Sequence, residues 1–460
     1  MKPSQKHQGL VVAGTHSSVG KSSISLGLMY LLKQKGYSIK PFKVGPDYID
    51  PGHHKSACDR PSYNLDTVMC SKNYVTNLFN DIMTERELAI VEGVMGLHDG
   101  VSSASDKGST AAVAKLLGLP VLLVIDGRGM ARSAAALVMG YMKLDPKVNL
   151  LGVIANNINS ERHAQIIKDS IEHHTSAKLL ACLPTSQELS IPNRYLGLHQ
   201  SIEGKADIYE KWANHIESHI DMKLLKKLFN LKKSSRRTSN IKQESKRWKT
   251  KARPCLFNIG VARDEAFQFI YQDTLDFLYH QGFNVSFFSP IHDSHLPKNM
   301  NGYYFPGGYP ELHAKSLSKN KSMIKDIKNA GIAGQMIIGE CGGLMYLGKH
   351  IIDANNKKLS MAGLFNFTTS IKTRKLTLGY RTLKLIKATS KSRNLTLQGH
   401  EFHYSTFSTN NELPTWKSSL LKGGAPLKDG FTTRNCHAFY THIYWASNRE
   451  WINYLADSSR

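Results

Sequence analysis

A strand, a tight turn and a helix follow one another in residues 335–347, Gln-Met-Ile-Ile-Gly-Glu-Cys-Gly-Gly-Leu-Met-Tyr-Leu. The short apolar run predicts a buried strand, and the glycines predict the turn after it. Gly339, Cys341 and Gly343 form a G-x-C-x-G pattern, the thiol counterpart of the strained elbow that carries the nucleophile of many hydrolases. The stretch therefore predicts an α/β fold around it and a nucleophilic cysteine at its turn.

The turn gives Cys341 the surroundings of a reactive thiol. Because it precedes a helix, we expect the pKa of the thiol to be lowered. The backbone N–H of Gly342 is placed to form half of an oxyanion hole, and Gly308, in the glycine-rich turn of residues 305–311, could supply the other half. A cysteine nucleophile also needs a base. The pattern alone does not choose among four downstream histidines, His400, His403, His437 and His442.

Strands and helices alternate on both sides of a break in the middle of the chain. The alternation runs to about residue 215 and starts again near residue 257. This order is typical of doubly wound, largely parallel sheets, whose ligands lie at the carboxyl ends of the strands. We therefore predict two doubly wound α/β domains. The predicted strands are Leu10–Ala13, Ser38–Val44, Glu87–Glu92, Val121–Asp126, Leu150–Asn156, Phe257–Ala262, Asn284–Phe288, Gly302–Phe305 and Gln335–Ile338.

The first predicted strand runs into a glycine-rich loop that opens a helix. Residues 14–22 read Gly-Thr-His-Ser-Ser-Val-Gly-Lys-Ser, a variant of the phosphate loop G-x4-G-K-[ST] with Thr15 where the strict pattern has glycine. Amides at a helix N-terminus hold phosphate oxygens, Lys21 can neutralise the β- and γ-phosphates, and the Ser22 hydroxyl is placed for Mg²⁺. We predict a bound nucleotide, ATP, contacted by Gly14, Thr15, Ser18, Val19, Gly20, Lys21, Ser22 and Lys43.

Two carboxylates are the predicted magnesium ligands besides the serine of that loop. Asp47 and Glu92 both close predicted strands at the ligand edge of the sheet. Mg²⁺ usually takes one or two protein carboxylates, although either residue could instead cap a helix. Asp126 is a weaker third candidate.

Residues 43–54 form an unusual loop, Lys-Val-Gly-Pro-Asp-Tyr-Ile-Asp-Pro-Gly-His-His. His53 and His54 could suggest a metal site, but adjacent positions on a loop rarely converge on one ion. We expect this loop to contact substrate and phosphate.

The chain of 460 residues carries a formal net charge of +24. Much of this charge lies between Lys223 and Arg253, where carboxylates are few. Runs of like charge repel one another and usually stay solvated, so we interpret the stretch as a linker; a polyanion partner is the alternative. The predicted organisation is a first domain at 1–215, a basic linker at 216–254 and a second domain at 255–460.

The six cysteines and the lengths of the apolar runs indicate the redox environment of the protein and whether it crosses a membrane. No two cysteines form a CxxC pair, which argues against a zinc site or a redox motif. The N-terminal residues lack a signal-peptide pattern, and no run of 18 apolar residues occurs. We expect no membrane span and a reducing, cytoplasmic setting.

Taken together, these motifs resemble the cobyrinate a,c-diamide synthase family of the cobalamin pathway, along nearly the whole chain. The similar nickel-sirohydrochlorin a,c-diamide synthases are the nearest competitor. Cobyric acid synthase shares the architecture but lacks the sequence motifs found here at residues 43–54 and 399–405. The segments that carry the resemblance are 14–22, 41–54, 60–67, 91–100, 191–198, 262–267, 307–313, 335–347 and 399–405.

The resemblance implies a dethiobiotin-synthetase-like P-loop domain followed by a class I glutamine amidotransferase domain. It implies Cys341 as the nucleophile and His442 as its base, because residues 439–445, Phe-Tyr-Thr-His-Ile-Tyr-Trp, look like the terminal Tyr-x-His segment of the family. The family often has a second histidine where this chain has Tyr444. The third member of the Cys-His constellation is therefore unassigned.

The implied reaction is the amidation of the a and c side-chain carboxylates of cobyrinate, driven by ATP, with ammonia from glutamine hydrolysis at Cys341. The expected partners are cobyrinate, L-glutamine and ATP with Mg²⁺, without nucleic acid or membrane; a homodimer is one option for assembly. Amidation of nickel-sirohydrochlorin or another tetrapyrrole is the alternative. A P-loop ATPase that binds nucleic acid through the basic stretch is a distant one, because it would leave the cysteine elbow without a role.

Overall fold

The computed structural model describes residues 7–84, 87–186, 189, 193–194, 197–198, 207–233, 246–248, 257–372, 376–386, 395–409, 413–421, 423 and 426–458. The chain divides into two compact units, Met1–Lys249 and Thr250–Arg460. Within the described ranges, no helix combines the length and the apolar character needed to cross a membrane.

The first unit is built on a seven-stranded parallel sheet. Its strands are β1 (Gln8–Gly14), β2 (Ile39–Val44), β3 (Tyr63–Leu65), β4 (Leu88–Gly96), β5 (Val121–Asp126), β6 (Leu150–Ile158) and β7 (Lys178–Pro184). Their order across the sheet is β3-β2-β4-β1-β5-β6-β7. The central strands are buried almost continuously rather than alternately, as expected for a sheet covered on both faces.

Helices follow nearly every strand of this sheet. They are α1 (Lys21–Gln34), α2 (Ile49–Cys58), α3 (Lys72–Ile82), α4 (Thr110–Leu117), α5 (Ser133–Leu144), α6 (Glu161–His174), α7 (Asp207–Glu217) and α8 (Met222–Leu228). Two short strands, β8 (Asn193–Arg194) and β9 (Gly197–Leu198), pair with each other. Residues 49–54 were expected in a loop, but α2 begins at Ile49. The expectation was wrong because Asp47 provides a helix cap.

Residues 216–231 fall inside the predicted linker, yet they pack into the first unit. Leu225 of α8 and Phe229 and Leu231 just after it are buried in its core, while Lys226 and Lys227 of α8 are exposed. The basic run here is the solvent face of an amphipathic helix, which composition did not distinguish from a linker. Further along, the backbone N–H groups of residues 246 and 247 donate to the carboxylate of Asp81. Residues 234–245 and 249–254 of the predicted linker lie outside the described residues.

The second unit is built on a six-stranded sheet that contains the cysteine elbow. Its strands in chain order are β10 (Phe257–Ala262), β11 (Phe283–Phe288), β12 (Gly302–Phe305), β13 (Met336–Glu340), β22 (Phe431–Thr433) and β23 (Cys436–Phe439). Strands β14 to β21, which belong to other sheets, lie between β13 and β22 in the chain. Their spatial order is β11-β10-β12-β13-β23-β22, and every pair but β22–β23 is parallel. The prediction of two α/β domains with largely parallel sheets is confirmed.

Two further sheets in the second unit were not predicted. One contains β14 (His350–Ile352), β15 (Lys358–Ser360), β16 (Phe367–Ser370) and β19 (Thr406–Thr409); the other contains β17 (Thr377–Leu385), β18 (Thr396–His403), β20 (Trp416–Leu420), β21 (Leu427–Asp429) and β24 (His442–Ile443). The helices are α9 (Gln272–His280), α10 (Ala314–Lys319), α11 (Lys321–Ile332), α12 (Gly342–Leu347) and α13 (Arg449–Ser458), with a 3-10 turn at Trp445–Ser447. The second of these sheets is antiparallel throughout, and it brings β24, and with it His442, against β18.

A glycine in α1 lets α7 approach closely. A β-carbon on Gly27 would lie 2.5 Å from Cδ1 of Ile216 and 3.1 Å from the backbone carbon of Trp212. Gly140, in α5, would meet nothing within 4 Å. We predict that G140A raises the free energy of unfolding by about 0.5–1 kcal/mol, because alanine favours helix. G27A should lower it by about 1–3 kcal/mol through overpacking.

Urea unfolding of both variants, followed by tryptophan fluorescence, measures this difference. G140A is the matched control for the intrinsic effect of a helical alanine. A G27A protein as stable as G140A would contradict the packing of α1 on α7.

Candidate active sites

The glycine-rich loop between β1 and α1 is held from three sides. The Thr15 N–H donates to the Val124 carbonyl at 3.0 Å, and the Tyr141 hydroxyl donates to the Thr15 carbonyl. The Asn156 side chain, on β6, donates to the Val19 carbonyl at 3.0 Å. The loop is therefore fixed by the surrounding sheet, as a site built from backbone amides requires.

Gly20 closes this loop where α1 begins. Its φ of 96° lies in the left-handed region, and a β-carbon would stand 2.4 Å from Nδ2 of Asn156. Both facts require glycine. Ser18 also has a positive φ, 67°, so the loop turns back on itself before the helix. The predicted phosphate-binding residues from Gly14 to Ser22 thus lie together at the N-terminus of α1.

A buried charged cluster lies beside the first turn of α1. Lys43 Nζ is 2.9 Å from Glu92 Oε1 and also forms an ion pair with Asp50. The Ser22 hydroxyl donates to Glu92 Oε1 at 2.7 Å and lies 3.4 Å from Asp50 Oδ2. His54 Nε2 is 2.8 Å from Glu92 Oε2. Because Glu92 has no exposed surface, its charge depends on these partners.

The charges of this cluster shift the pKa of one another. Burial disfavours charge on Glu92, but the Lys43 ammonium holds the pKa of that carboxyl well below its usual range. Burial raises the pKa of Asp50 well above its usual value, and the carboxylates of Asp47 and Glu92 raise it further. Burial, with repulsion from Lys43, lowers the pKa of Lys21. The carboxyl groups of Asp47, Asp50 and Glu92 thus crowd around Lys43, and a divalent cation beside them would favour the ionised form of Asp50.

Asp47 caps a helix. Its Oδ1 accepts hydrogen bonds from the backbone N–H groups of Ile49 at 2.8 Å and Asp50 at 3.0 Å, and its Oδ2 is 3.8 Å from Lys43 Nζ. The sequence predicts a metal ligand here, with a helix cap as the alternative; Oδ1 makes the capping contacts, and the role as a metal ligand stays a prediction. Sequence reasoning missed Asp50, the carboxylate near the Ser22 hydroxyl. Asp50 lies three residues after Asp47, where an acidic residue often follows a helix cap, and this spacing could have indicated it.

The remaining candidates in the first unit have other partners. Asp126 binds the Arg128 guanidinium and accepts from Asn157 at 3.0 Å. His53 Nδ1 lies 2.8 Å from the Tyr209 hydroxyl, whereas His54 faces Glu92. Across the described part of the chain, no three His, Cys, Asp or Glu side chains form a metal site by themselves. The metal candidate here is a hydroxyl with two carboxylates.

A cavity of about 120 Å³ opens beside the end of the phosphate loop. Its lining includes Gly20, Asn156, Thr185, Trp212 and His215. It joins loop backbone, amide and aromatic surfaces at the carboxyl edge of the sheet, where ligands of such folds bind.

Cys341 sits at the turn between β13 and α12. Its backbone has φ 49° and ψ −100°, a conformation that non-glycine residues rarely adopt. The turn needs close contact between backbones, because a β-carbon on Gly343 would stand 1.9 Å from the Phe305 carbonyl oxygen. The Cys341 N–H donates to the Phe439 carbonyl at 2.8 Å, which ties the turn to the end of β23. The structure therefore contains the strained elbow that the sequence predicts.

Glycine backbones and a histidine ring meet beside this turn. A β-carbon on Gly342 would stand 2.9 Å from the backbone nitrogen of Gly308, so the two amides predicted for the oxyanion hole are neighbours. A β-carbon on Gly307 would stand 2.2 Å from Cε1 of His442. The elbow, the glycine turn and His442 thus lie at one place in the second unit.

The four candidate histidines have different neighbours. His442 is buried, and its cross-strand partner in β18 is His400. His437 is enclosed by aromatic rings of the core. His403 lies 3.1 Å from Glu401 Oε1. The contact with the glycine turn favours His442 as the base.

Burial sets the charge state of the thiol and the imidazole. It lowers the pKa of His442 to about 3, and His400 and His403 contribute to the same shift. Burial also raises the pKa of Cys341 well above its ordinary value, and the Glu311 carboxylate raises it further. The expected lowering of the thiol pKa is wrong, because burial and nearby carboxylates outweigh the first turn of a six-residue helix. Both shifts favour a neutral thiol and a neutral imidazole in the resting pair.

Sequence reasoning also did not single out Glu340, the residue before the nucleophile. Its buried carboxylate accepts hydrogen bonds from the Tyr304 hydroxyl at 2.9 Å and from Trp445 Nε1 at 2.8 Å. The feature of the sequence that could have indicated it is an acidic residue at the end of an otherwise apolar strand.

Two family models match the chain. Residues 10–197 match the CobQ/CobB/MinD/ParA nucleotide binding domain. Residues 258–450 match the CobB/CobQ-like glutamine amidotransferase domain. The first unit thus contains a nucleotide-binding domain, and the second contains a glutamine amidotransferase domain.

Similar proteins align with nearly the whole chain. The cobyrinate a,c-diamide synthase of Dehalococcoides mccartyi is 39% identical over 445 residues, which cover 95% of each chain. That of Caldanaerobacter subterraneus subsp. tengcongensis is 37% identical and covers 97% of each. That of Picrophilus torridus is 38% identical and covers 96% of this chain and 97% of its own. The predicted resemblance is confirmed, and the chain belongs to the cobyrinate a,c-diamide synthase family.

Proposed function

We propose that this protein uses ATP and glutamine to convert the a and c side-chain carboxylates of cobyrinate to amides. The observation that carries the proposal is that one chain holds both a phosphate loop beside a buried Ser-Asp-Glu cluster and a cysteine elbow beside a buried histidine. The family membership supports the identity of the substrate.

The first site activates the carboxylate. The loop amides and Lys21 hold the phosphates of ATP, and the cavity beside Gly20 takes the base. Ser22, Asp50 and Glu92 would hold Mg²⁺, with Asp47 acting as the helix cap; the ion would supply charge neutralisation for the phosphates. A carboxylate oxygen of the substrate attacks the γ-phosphorus, and ADP leaves. Ammonia then attacks the acyl phosphate, phosphate leaves, and an amide remains.

The second site supplies the ammonia. The Cys341 sulfur attacks the side-chain amide carbon of glutamine while His442 takes the thiol proton. The N–H groups of Gly308 and Gly342 stabilise the oxyanion. His442 returns the proton to the leaving ammonia, and water hydrolyses the thioester to give glutamate and the free thiol. A neutral resting pair suits this sequence, because the proton moves only once glutamine is bound.

The proposal extends to the organisation and setting of the protein. The synthetase activity is assigned to residues 1–215 and the amidotransferase activity to residues 255–460. The partners are cobyrinate, L-glutamine and ATP, without nucleic acid or membrane, in the cytoplasm. Electrophoretic mobility shifts with duplex DNA at graded salt would test the exclusion of nucleic acid.

Replacing the nucleophile separates the two half-reactions. We predict that C341S lowers glutamine-dependent amidation by about 10⁴-fold or more, since the serine hydroxyl is a much weaker nucleophile than the cysteine thiol in this site. Amidation with free ammonia should persist, because the first site is unchanged. Mass spectrometry of cobyrinate after incubation with ATP and either nitrogen donor measures both activities.

C436A is the matched control, because it removes another buried thiol of the same unit. It should keep both activities. If C341S loses ammonia-dependent amidation while it still binds ATP, the division of labour between the two sites is refuted.

Exchange of two aspartates tests the proposed magnesium ligands. We predict that D50N raises the Mg²⁺ concentration for half-maximal ammonia-driven amidation by at least about tenfold, because it removes a charged oxygen from the cluster. D47N should shift it less, since asparagine also caps helices. Magnesium titrations of both variants measure the shift, with glutamine hydrolysis as the internal control. A larger shift in D47N than in D50N would assign the metal to Asp47.

The pH dependence of glutamine hydrolysis tests the neutral Cys-His pair. Burial lowers the pKa of His442 to about 3, so the base remains unprotonated down to mildly acidic pH. We predict no acid limb in kcat/KM near pH ~6.5, where a solvated histidine would titrate. Steady-state rates from about pH 5 to about pH 9, with circular dichroism at each pH as the check on folding, provide the measurement. An acid limb between about 6 and 7 would mean that the base is hydrated or is another group.

A further inference from the structure

Glu340 carries a buried carboxylate that the reaction steps above do not use. It lies between Gly339 and Cys341 at the carboxyl end of β13 and is 1% exposed. Burial raises the pKa of Glu340 to about 8, against the opposing effect of its hydrogen-bond donors. A buried carboxyl group is costly to keep, so its partners indicate what it does.

Its three donors converge from both sides of the elbow. Tyr304, on the neighbouring strand β12, donates its hydroxyl at 2.9 Å. Trp445 donates its indole N–H at 2.8 Å, and the backbone N–H of Ile443 is the third donor. Tyr304 and Trp445 are themselves buried, with ring centroids 4.8 Å apart.

Two of these donors belong to the segment that carries the base. Ile443 follows His442 directly, and Trp445 comes two residues later. The carboxylate thus joins the residue before the nucleophile to the residues after the base. On the other side of the same segment, the Tyr444 hydroxyl donates to the buried Asp273 at 2.7 Å. The segment is therefore fixed by two carboxylates at once.

Backbone pairing holds the two ends of this segment in different sheets. The β13–β23 ladder ends at Phe439, and the β18–β24 ladder pairs His442 with His400 in a different sheet. The nucleophile and the base therefore belong to two sheets. The hydrogen bonds of Glu340 connect the end of the first sheet to β24 of the second.

We propose that Glu340 is a positioning residue for glutamine hydrolysis. Through its hydrogen bonds with Tyr304, Trp445 and the Ile443 backbone, it sets the position of the His442 imidazole relative to the Cys341 thiol. The inference rests on the proposed function and adds a residue to it. Glu340 touches neither glutamine nor the reacting atoms; its effect is on geometry.

Positioning of this kind affects the rate more than substrate binding. A displacement of about 1 Å between reacting groups can cost about 100-fold in rate. We expect E340A to lower the kcat of glutamine hydrolysis by about 100-fold with little change in KM. E340Q, whose amide oxygen can still accept from Trp445 or Ile443, should recover part of that loss.

Two tyrosines on one strand give a matched pair of variants. Tyr304 donates to Glu340, whereas the adjacent Tyr303 donates to the Pro297 carbonyl at 3.0 Å. Y304F and Y303F each remove one phenol from β12. Only Y304F should lower kcat, and the size of its effect should fall between those of E340Q and the wild type.

The experiment measures kcat and KM for glutamine hydrolysis in E340A, E340Q, Y304F, Y303F and the wild-type chain. Rates are expressed per folded site, counted by covalent labelling of Cys341 with a glutamine-analogue diazoketone. Ammonia-driven amidation by the same preparations reports on the first unit. The expected result is a fall in kcat at constant KM for E340A and Y304F, partial rescue in E340Q, and wild-type values in Y303F.

Two outcomes overturn the inference. One is a wild-type kcat per labelled site in E340A and Y304F, which would make Glu340 purely structural. The other is an equal loss in Y303F and Y304F, which would trace the effect to β12 in general. Failure of the proposed function looks different, because the wild-type chain itself would then not hydrolyse glutamine.

Discussion

Each unit buries a carboxylate near the carboxyl edge of its central sheet, and the rest of each site follows from that constraint. Glu92 on β4 has no exposed surface, and Glu340 on β13 is 1% exposed. A buried carboxylate is stable only when donors or cations surround it. In the first unit these partners include Lys43 and Ser22; in the second they include the indole of Trp445. The need to satisfy these groups gathers residues that are far apart in the chain.

The two carboxylates differ in the charge of their partners, and the chemistry differs with them. Lys43 holds the pKa of Glu92 well below its usual range despite burial, so that group stays ionised and can face a cation. Glu340 has neutral donors, and burial raises its pKa to about 8. A site with ionised groups suits phosphoryl transfer, in which charge moves between oxygens. In the second unit, burial favours a thiol and an imidazole that stay neutral until glutamine arrives.

The fold was predictable from local patterns, because each unit contains a strand, a glycine-rich turn and a helix that can be recognised in the sequence. The residues Gly20 and Cys341 could be placed for that reason. Asp50 was missed because the start of α2 decides whether it or Asp47 faces Ser22, and a helix start is not fixed by composition.

Other parts of the site depend on contacts that local sequence does not contain. The pKa of Cys341 was misjudged because burial by distant segments outweighs the local helix. Glu340 could not be interpreted from sequence, because two of its donors lie more than 100 residues later. The antiparallel sheet that carries β24 was missed as well, since its strands pair across irregular separations in the sequence. Because that sheet holds the base while the parallel sheet holds the nucleophile, the catalytic pair depends on long-range pairing, whereas the phosphate loop depends on local turns.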